Sequence, residues 1–378
     1  MEKRYLFTPG PTPVPPEVLA AMAEPMVHHR GADFRAVYER ALARLREVYR
    51  TESQVLLFSA SGTGAMDSAA ANLCAAGDRV AVVSAGAFGE RWVKICETYG
   101  LDVQRIAYEW GEVPAADEVG AAVAESGARV VFCTHSETST GVVSDVHALK
   151  QAVGDATLVV DAISSLGAVQ LDTDAWGIDV VLSGSQKALM CPPGLAMASV
   201  AEHLWETLPP SRSYYFDWRS TKKAQTVFDS SFTPAVSLIR GLDVALGLIL
   251  EPGLDAAFER HVRLGRAARA GLKAMGLELF SPDDDSSAVV TVANVPDGID
   301  GAELLKHLRD QHGVTLAPGQ GHLKGKIFRI GHIGWFDVFD IAAALAAVEL
   351  SLTELGAGIE RGVAVARAFD AYEQRVPA

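Results

Sequence analysis

The chain has 378 residues, 49% hydrophobic and 21% charged, the make-up of a globular protein long enough for two domains. Its 33 Lys and Arg against 47 Asp and Glu leave a formal charge of −14, which argues against nucleic acid and anionic membranes as partners but leaves room for a small anionic substrate. Cys74, Cys96, Cys133 and Cys191 form no CxxC pair and no histidine lies in an HExxH pattern, so neither a disulfide frame nor a metal site is expected from spacing.

In chain order, "MEKRYLFTPGPTPVPPE" meets prolines before a signal-peptide core can form, and residues 1–16 are expected to be an N-terminal arm. Neither the later apolar run "IAAALAAV", too short to span a bilayer, nor the final "QRVPA" reads as an address, so the expected compartment is the cytoplasm. Phe34, Val37, Tyr38, Ala41, Leu42, Leu45, Val48 and Tyr49 recur at helical spacing and predict an amphipathic helix. Short β-rich runs follow: "VLLF", "RVAVVS", "VQRIA", "RVVFCT", "TLVVD", "IDVVLS" and "LAMASV", most of them separated by helix-like segments. That alternation predicts an α/β large domain over 17–253 with a mostly parallel sheet between helices. Over 254–378 a long helix, the strand "AVVTVANV", a helix at Gly301–His312, the strand "KIFRIG" and a closing helix predict a smaller α+β domain.

Ligands of open parallel sheets sit beyond the carboxyl ends of the strands, so the residues after each strand carry the functional reading. After "VLLF", the small-residue turn "SASGTG" feeds a helix and offers free N–H groups to an anion, unless Ser59 or Ser61 is simply its cap. A dinucleotide fold is disfavoured, because Asp67 stands where GxGxxG needs its third glycine and "RVAVVS" ends in Ser84 rather than an acid. After "TLVV" comes Asp161, and after "IDVVL" comes "SGSQK" with Lys187. A phosphate turn, a strand-end carboxylate and a strand-end lysine together are what pyridoxal 5′-phosphate needs: a lysine for the Schiff base, an acid for the pyridine nitrogen, N–H groups for the phosphate.

With "TPGPTPVPPEV", "SASGTGA", "AGAFGER", "THSETSTGV", "VVDAISSLGA", "LSGSQKAL", "FTPAVSLI" and "FRIGHIG", almost the whole chain resembles the class V, fold-type-I pyridoxal-phosphate aminotransferases, above all the serine/alanine–glyoxylate group. The resemblance implies a seven-stranded sheet and a ping-pong transfer from serine or alanine to glyoxylate or pyruvate. It implies Lys187 as the Schiff-base lysine and Asp161 as the ring-nitrogen partner. Ser61, Gly62, Thr63 and Gln186 would contact the phosphate, Phe88 and Ile163 the two ring faces, and Thr138 the ring oxygen. Thr233 would reach the phosphate of the neighbouring subunit in a homodimer, and Arg329 would grip the substrate carboxylate. Phe88 replaces the commoner tryptophan, and "SETS" replaces a glycine-bearing "GES".

Two alternatives stay open. Phosphoserine with 2-oxoglutarate would use "HHR" (His28–Arg30) together with His322, Lys324 and Lys326 as a second anion site. A lyase or desulfurase would need a late catalytic cysteine, and none follows Cys191, which reads as a packed small hydrophobe.

Overall fold

A computed structural model describes residues 3–374; Met1 and Glu2 of the expected arm and residues 375–378 at the other end lie outside the described residues. The seven β-rich runs form one sheet: β1 (Val55–Phe58), β2 (Arg79–Ser84), β3 (Asp102–Ala107), β4 (Val130–Thr134), β5 (Thr157–Asp161), β6 (Val180–Gly184) and β7 (Ala196–Val200). Their spatial order is β1-β7-β6-β5-β4-β2-β3. All neighbours run parallel except β7, which is antiparallel to both β1 and β6.

Alternation along each strand explains the double-sided burial. Val55 and Leu57 of β1 join Phe34, Tyr38, Leu45 and Ile239 on one face, while Leu56 and Phe58 join Met66, Trp92, Phe132 and Trp218 on the other. Only the edge strand β3 is polar, with Asp102 and Arg105 exposed. Charges of this kind discourage further strand pairing. The expected amphipathic helix runs from Ala32 to Tyr49 and buries Phe34, Tyr38, Ala41, Leu42, Leu45, Val48 and Tyr49 against the helix Val236–Leu250.

A second sheet is antiparallel and three-stranded, in the order β8 (Val290–Asn294), β10 (Ile327–Gly331), β9 (Ala317–Pro318). Its core of Leu264, Leu272, Phe328, Ile330 and Leu345 also takes in Phe7 from the arm. Two closing helices, Val338–Glu354 and Ala364–Glu373, replace the single one expected, because Gly356 and Gly362 break the chain between them at positive φ. The arm is tied to this unit: Tyr5–Leu6 pairs in parallel with Val314–Thr315, and Gly331 N donates to Phe7 O at 2.7 Å.

Candidate active site

Asp161 ends β5, opposite Thr134 of β4 and Leu182 of β6, so it stands mid-sheet at the carboxyl edge. The chain leaves β6 through a turn closed by Ser185, whose N–H donates to Leu195 O and whose hydroxyl donates to Pro192 O. That turn delivers Lys187. The lysine is 9% exposed, and its Nζ donates to Pro9 O at 2.5 Å with no carboxylate paired to it among the described residues.

The arm is what encloses the amine. Thr12 Oγ1 donates to Lys187 O, and Thr12 N donates to Gln186 O. A Cβ on Gly10 would lie 2.4 to 2.6 Å from the last atoms of Lys187, and Gly10 has φ +126°, so only glycine fits there.

Burial pushes Lys187 down to about 8, with Asp161 pulling it up and Arg329 and Arg91 adding to the fall. Burial likewise lifts Asp161 to about 6, against the N–H of Ile163, which donates to its Oδ1 at 2.9 Å. The other oxygen, Oδ2, takes no hydrogen bond from the described residues.

Ser61 occupies the N-cap of the helix Gly62–Leu73, but its side chain makes no capping bond. Ser59 does not cap either, because its hydroxyl accepts from Ala235 N. The simple-cap reading of this turn is therefore corrected: Gly64 N donates to the main-chain O of Ser61 at 2.7 Å, but neither serine side chain caps the helix start, which leaves its first N–H groups to an anion. Gly62 is buried against Ile163, and a Cβ on Gly184 would lie 3.4 Å from Gly62 N and 3.0 Å from Gln186 Oε1. That Oε1 is buried without a hydrogen-bond partner.

Phe88 lies in the first turn of the helix Ala87–Thr98, with the Arg91 guanidinium 4.8 Å from its ring centre; Arg91 also donates to Thr63 Oγ1 at 3.1 Å. Arg329 on β10 is 5% exposed and makes no ion pair among the described residues. Its Nε donates to Pro318 O and its Nη1 to Thr138 O, which leaves Nη2 without a partner among the described residues. Burial lowers it to about 10, against the attraction of Glu137.

Glu137 was not singled out by sequence reasoning. Its buried carboxylate accepts from Phe88 N at 2.9 Å, Gly89 N at 3.1 Å and Ser139 N at 3.2 Å, and also from Ser139 Oγ. It thereby ties the Phe88 helix to the loop that holds Arg329. Arg91 and the Pro9–Thr12 segment were missed too; the available signals were their places inside "AGAFGER" and "TPGPT".

The other expected residues sit apart. Thr233 is exposed on the loop before Ala235, beside Ser59 and Tyr215. Arg30 faces Asp229 at 3.9 Å, whereas His322 packs on Trp110 with ring centres 4.7 Å apart and Lys324 and Lys326 are exposed. Cys191 is buried with its thiol pushed up to about 12, as a packing residue should be.

The family model for aminotransferase class-V matches residues 4–327. The chain belongs to the class-V aminotransferases. Among curated relatives it is 41% identical to a soluble hydrogenase small subunit of Synechococcus, covering 94% of each chain. It is 35% identical to an L-aspartate–glyoxylate aminotransferase of Paracoccus denitrificans, over 99% of this chain and 97% of that one. Among solved structures, the ureidoglycine–glyoxylate aminotransferase of Bacillus subtilis superposes with a TM-score of 0.93 at 31% identity, covering 99% of both chains.

The cofactor of this aminotransferase is pyridoxal 5′-phosphate, and the residues present fit it. The turn at Gly62, whose N–H groups no side chain caps, suits a phosphate, toward which Gln186 would present its NH2, since its orphaned Oε1 is an acceptor; the open Oδ2 of Asp161 suits a protonated ring nitrogen. The buried amine of Lys187 suits the aldehyde.

Proposed function

We propose that this aminotransferase moves the amino group of a small amino acid, serine or alanine, to glyoxylate or pyruvate by a ping-pong cycle. The observation that carries this reading is the pairing of two buried cations with different tasks. Among the described residues Lys187 has no carboxylate paired to it, and Arg329 keeps donors free after binding two main-chain carbonyls. Glyoxylate is the acceptor named for both the Paracoccus and the Bacillus relatives.

When bound, pyridoxal phosphate supplies an aldehyde for the donor amine and a ring that takes up the electrons left as the Cα proton departs. Ser61, Gly62, Thr63 and Gln186 would hold its phosphate, Lys187 would be its Schiff-base lysine, and Phe88, Ile163 and Thr138 would frame the ring. Asp161 stays anionic above its value of about 6 and so can keep a proton on the ring nitrogen at neutral pH. The neutral Lys187 amine would be the base that takes the Cα proton. An ordinary lysine near 10.4 would be charged and unable to do this, whereas burial to about 8 gives a useful neutral fraction. Arg329 fixes the α-carboxylate through its free Nη donors, which orients the Cα–H bond for that transfer.

We place the protein in the cytoplasm as a homodimer in which Thr233, exposed on its loop, reaches the neighbouring phosphate site. The phosphoserine alternative has less support, because its two basic groups make separate contacts, with Asp229 and with Trp110. The deciding assay sets serine, alanine, aspartate and phosphoserine against glyoxylate, pyruvate and 2-oxoglutarate. Serine or alanine with glyoxylate or pyruvate should give the highest kcat/KM. A large preference for phosphoserine that Arg30→Ala removes would reverse the assignment.

A further inference from the structure

The helices Gly301–His312 and Val338–Glu354 pack together, and their C-terminal ends meet. His312 is the last residue of the first helix and Glu354 the last of the second, with His307 on the same side. Glu354 Oε2 lies 3.1 Å from His312 Nε2 and 3.4 Å from His307 Nε2. A tetrahedral zinc ion with ligand bonds of about 2.0–2.1 Å spaces its ligand atoms about 3.3–3.4 Å apart, so both separations are already near such an edge.

Four further features favour a cation at this point. Ser351, one turn before Glu354, places its Oγ 3.3 Å from His307 Nδ1, an outer contact that orients the ring and turns Nε2 toward the carboxylate. Both helices direct the negative ends of their dipoles here. Arg309, the cation in the same helical turn as His312, is already paired with Asp310 at 2.8 Å. The imidazoles are only 20% and 21% exposed while the carboxylate is 48% exposed, so the ligands are held from below and one side is open to water.

We propose that His307, His312 and Glu354 form a site for one divalent transition-metal ion of the zinc class, with water completing its shell. Two imidazoles and one carboxylate select such an ion over magnesium or calcium, which prefer all-oxygen shells. The bound ion would clip the two helix ends together.

The competing account is a hydrogen-bonded surface cluster in which the two Nε2 protons share one carboxylate oxygen. The test is equilibrium dialysis of the cofactor-loaded protein against zinc chloride, with thermal melts in zinc and in magnesium. The expected result is one saturable zinc ion per chain at this site and a rise of a few degrees in Tm with zinc but not with magnesium. His312→Gln should lower the bound stoichiometry by one and abolish the rise, and Glu354→Gln should weaken binding. Metal-free transaminase turnover should be unchanged in both variants. Absence of saturable binding, equal shifts with magnesium, or undiminished zinc binding in both variants would overturn the proposal.

Discussion

At the scale of single residues, Arg329 and Glu137 separate substrate grip from site construction. The substrate-carboxylate role proposed for Arg329 rests on a planar fork that lysine cannot present. Arg329→Lys should therefore raise KM for both the amino donor and the keto acid by roughly 10- to 100-fold, the worth of a charged hydrogen bond or two. Steady-state kinetics with both substrates checks this; an effect on only one of them would deny the shared role. Glu137 receives four donors, and a glutamine there must turn its NH2 toward one of the two pairs. Glu137→Gln should cost about 1–3 kcal/mol of stability and weaken cofactor retention, because Phe88 is held through its own N–H. Chemical denaturation and cofactor titration read the two effects separately, and unchanged retention would break the link to Phe88.

At the scale of elements, the arm and the lysine turn act as one piece. Gly10→Ala would push a Cβ into the end of Lys187, so turnover should collapse while far-UV circular dichroism stays native. Full activity in that variant would mean that the arm does not cover the amine. The strands and their chemistry were legible beforehand. "TLVVD" and "IDVVLS" are apolar runs that can only be buried, and an acid and a lysine just beyond them must lie at one sheet edge. Glu137 was not legible in this way, since two of its donors, Phe88 N and Gly89 N, are 49 and 48 residues away in sequence and only the fold brings them in. The same holds for Pro9 O and Lys187, separated by 178 residues. The helix break at Gly356 and Gly362 was missed because an alanine-rich run and a short amphipathic one read as a single apolar stretch. We read the division at 253/254 as a domain boundary, with the described part of the arm packing on the C-terminal unit through Tyr5, Leu6 and Phe7.

At the scale of the whole molecule, acid should loosen the fold. His135, His261 and His332 are buried and neutral, with values lowered to about 4, well below normal and about 3, all chiefly by burial. Unfolded histidine binds its proton near 6.5, so this stability is whole above that pH and is lost as pH falls toward the folded values. Asp161 and Glu137, raised by burial, take up protons early in the native state and offset part of the loss. The cofactor-free chain should lose roughly 1 kcal/mol per pH unit between pH 6 and 5 in denaturant titrations, about one net proton. Stability that holds or rises over that range would contradict the buried neutral histidines. Sedimentation at assay concentration should likewise find a dimer, and an active monomer would remove the shared site assigned to Thr233.

The most direct test of the central claim is chemical. The protein loaded with pyridoxal phosphate is reduced with borohydride, digested, and its peptides are mapped by mass spectrometry. The account predicts a pyridoxyl group on Lys187 in the "SGSQKAL" peptide, absent in Lys187→Ala, which should also have lost turnover. A label on another lysine, or full turnover in Lys187→Ala, would contradict it.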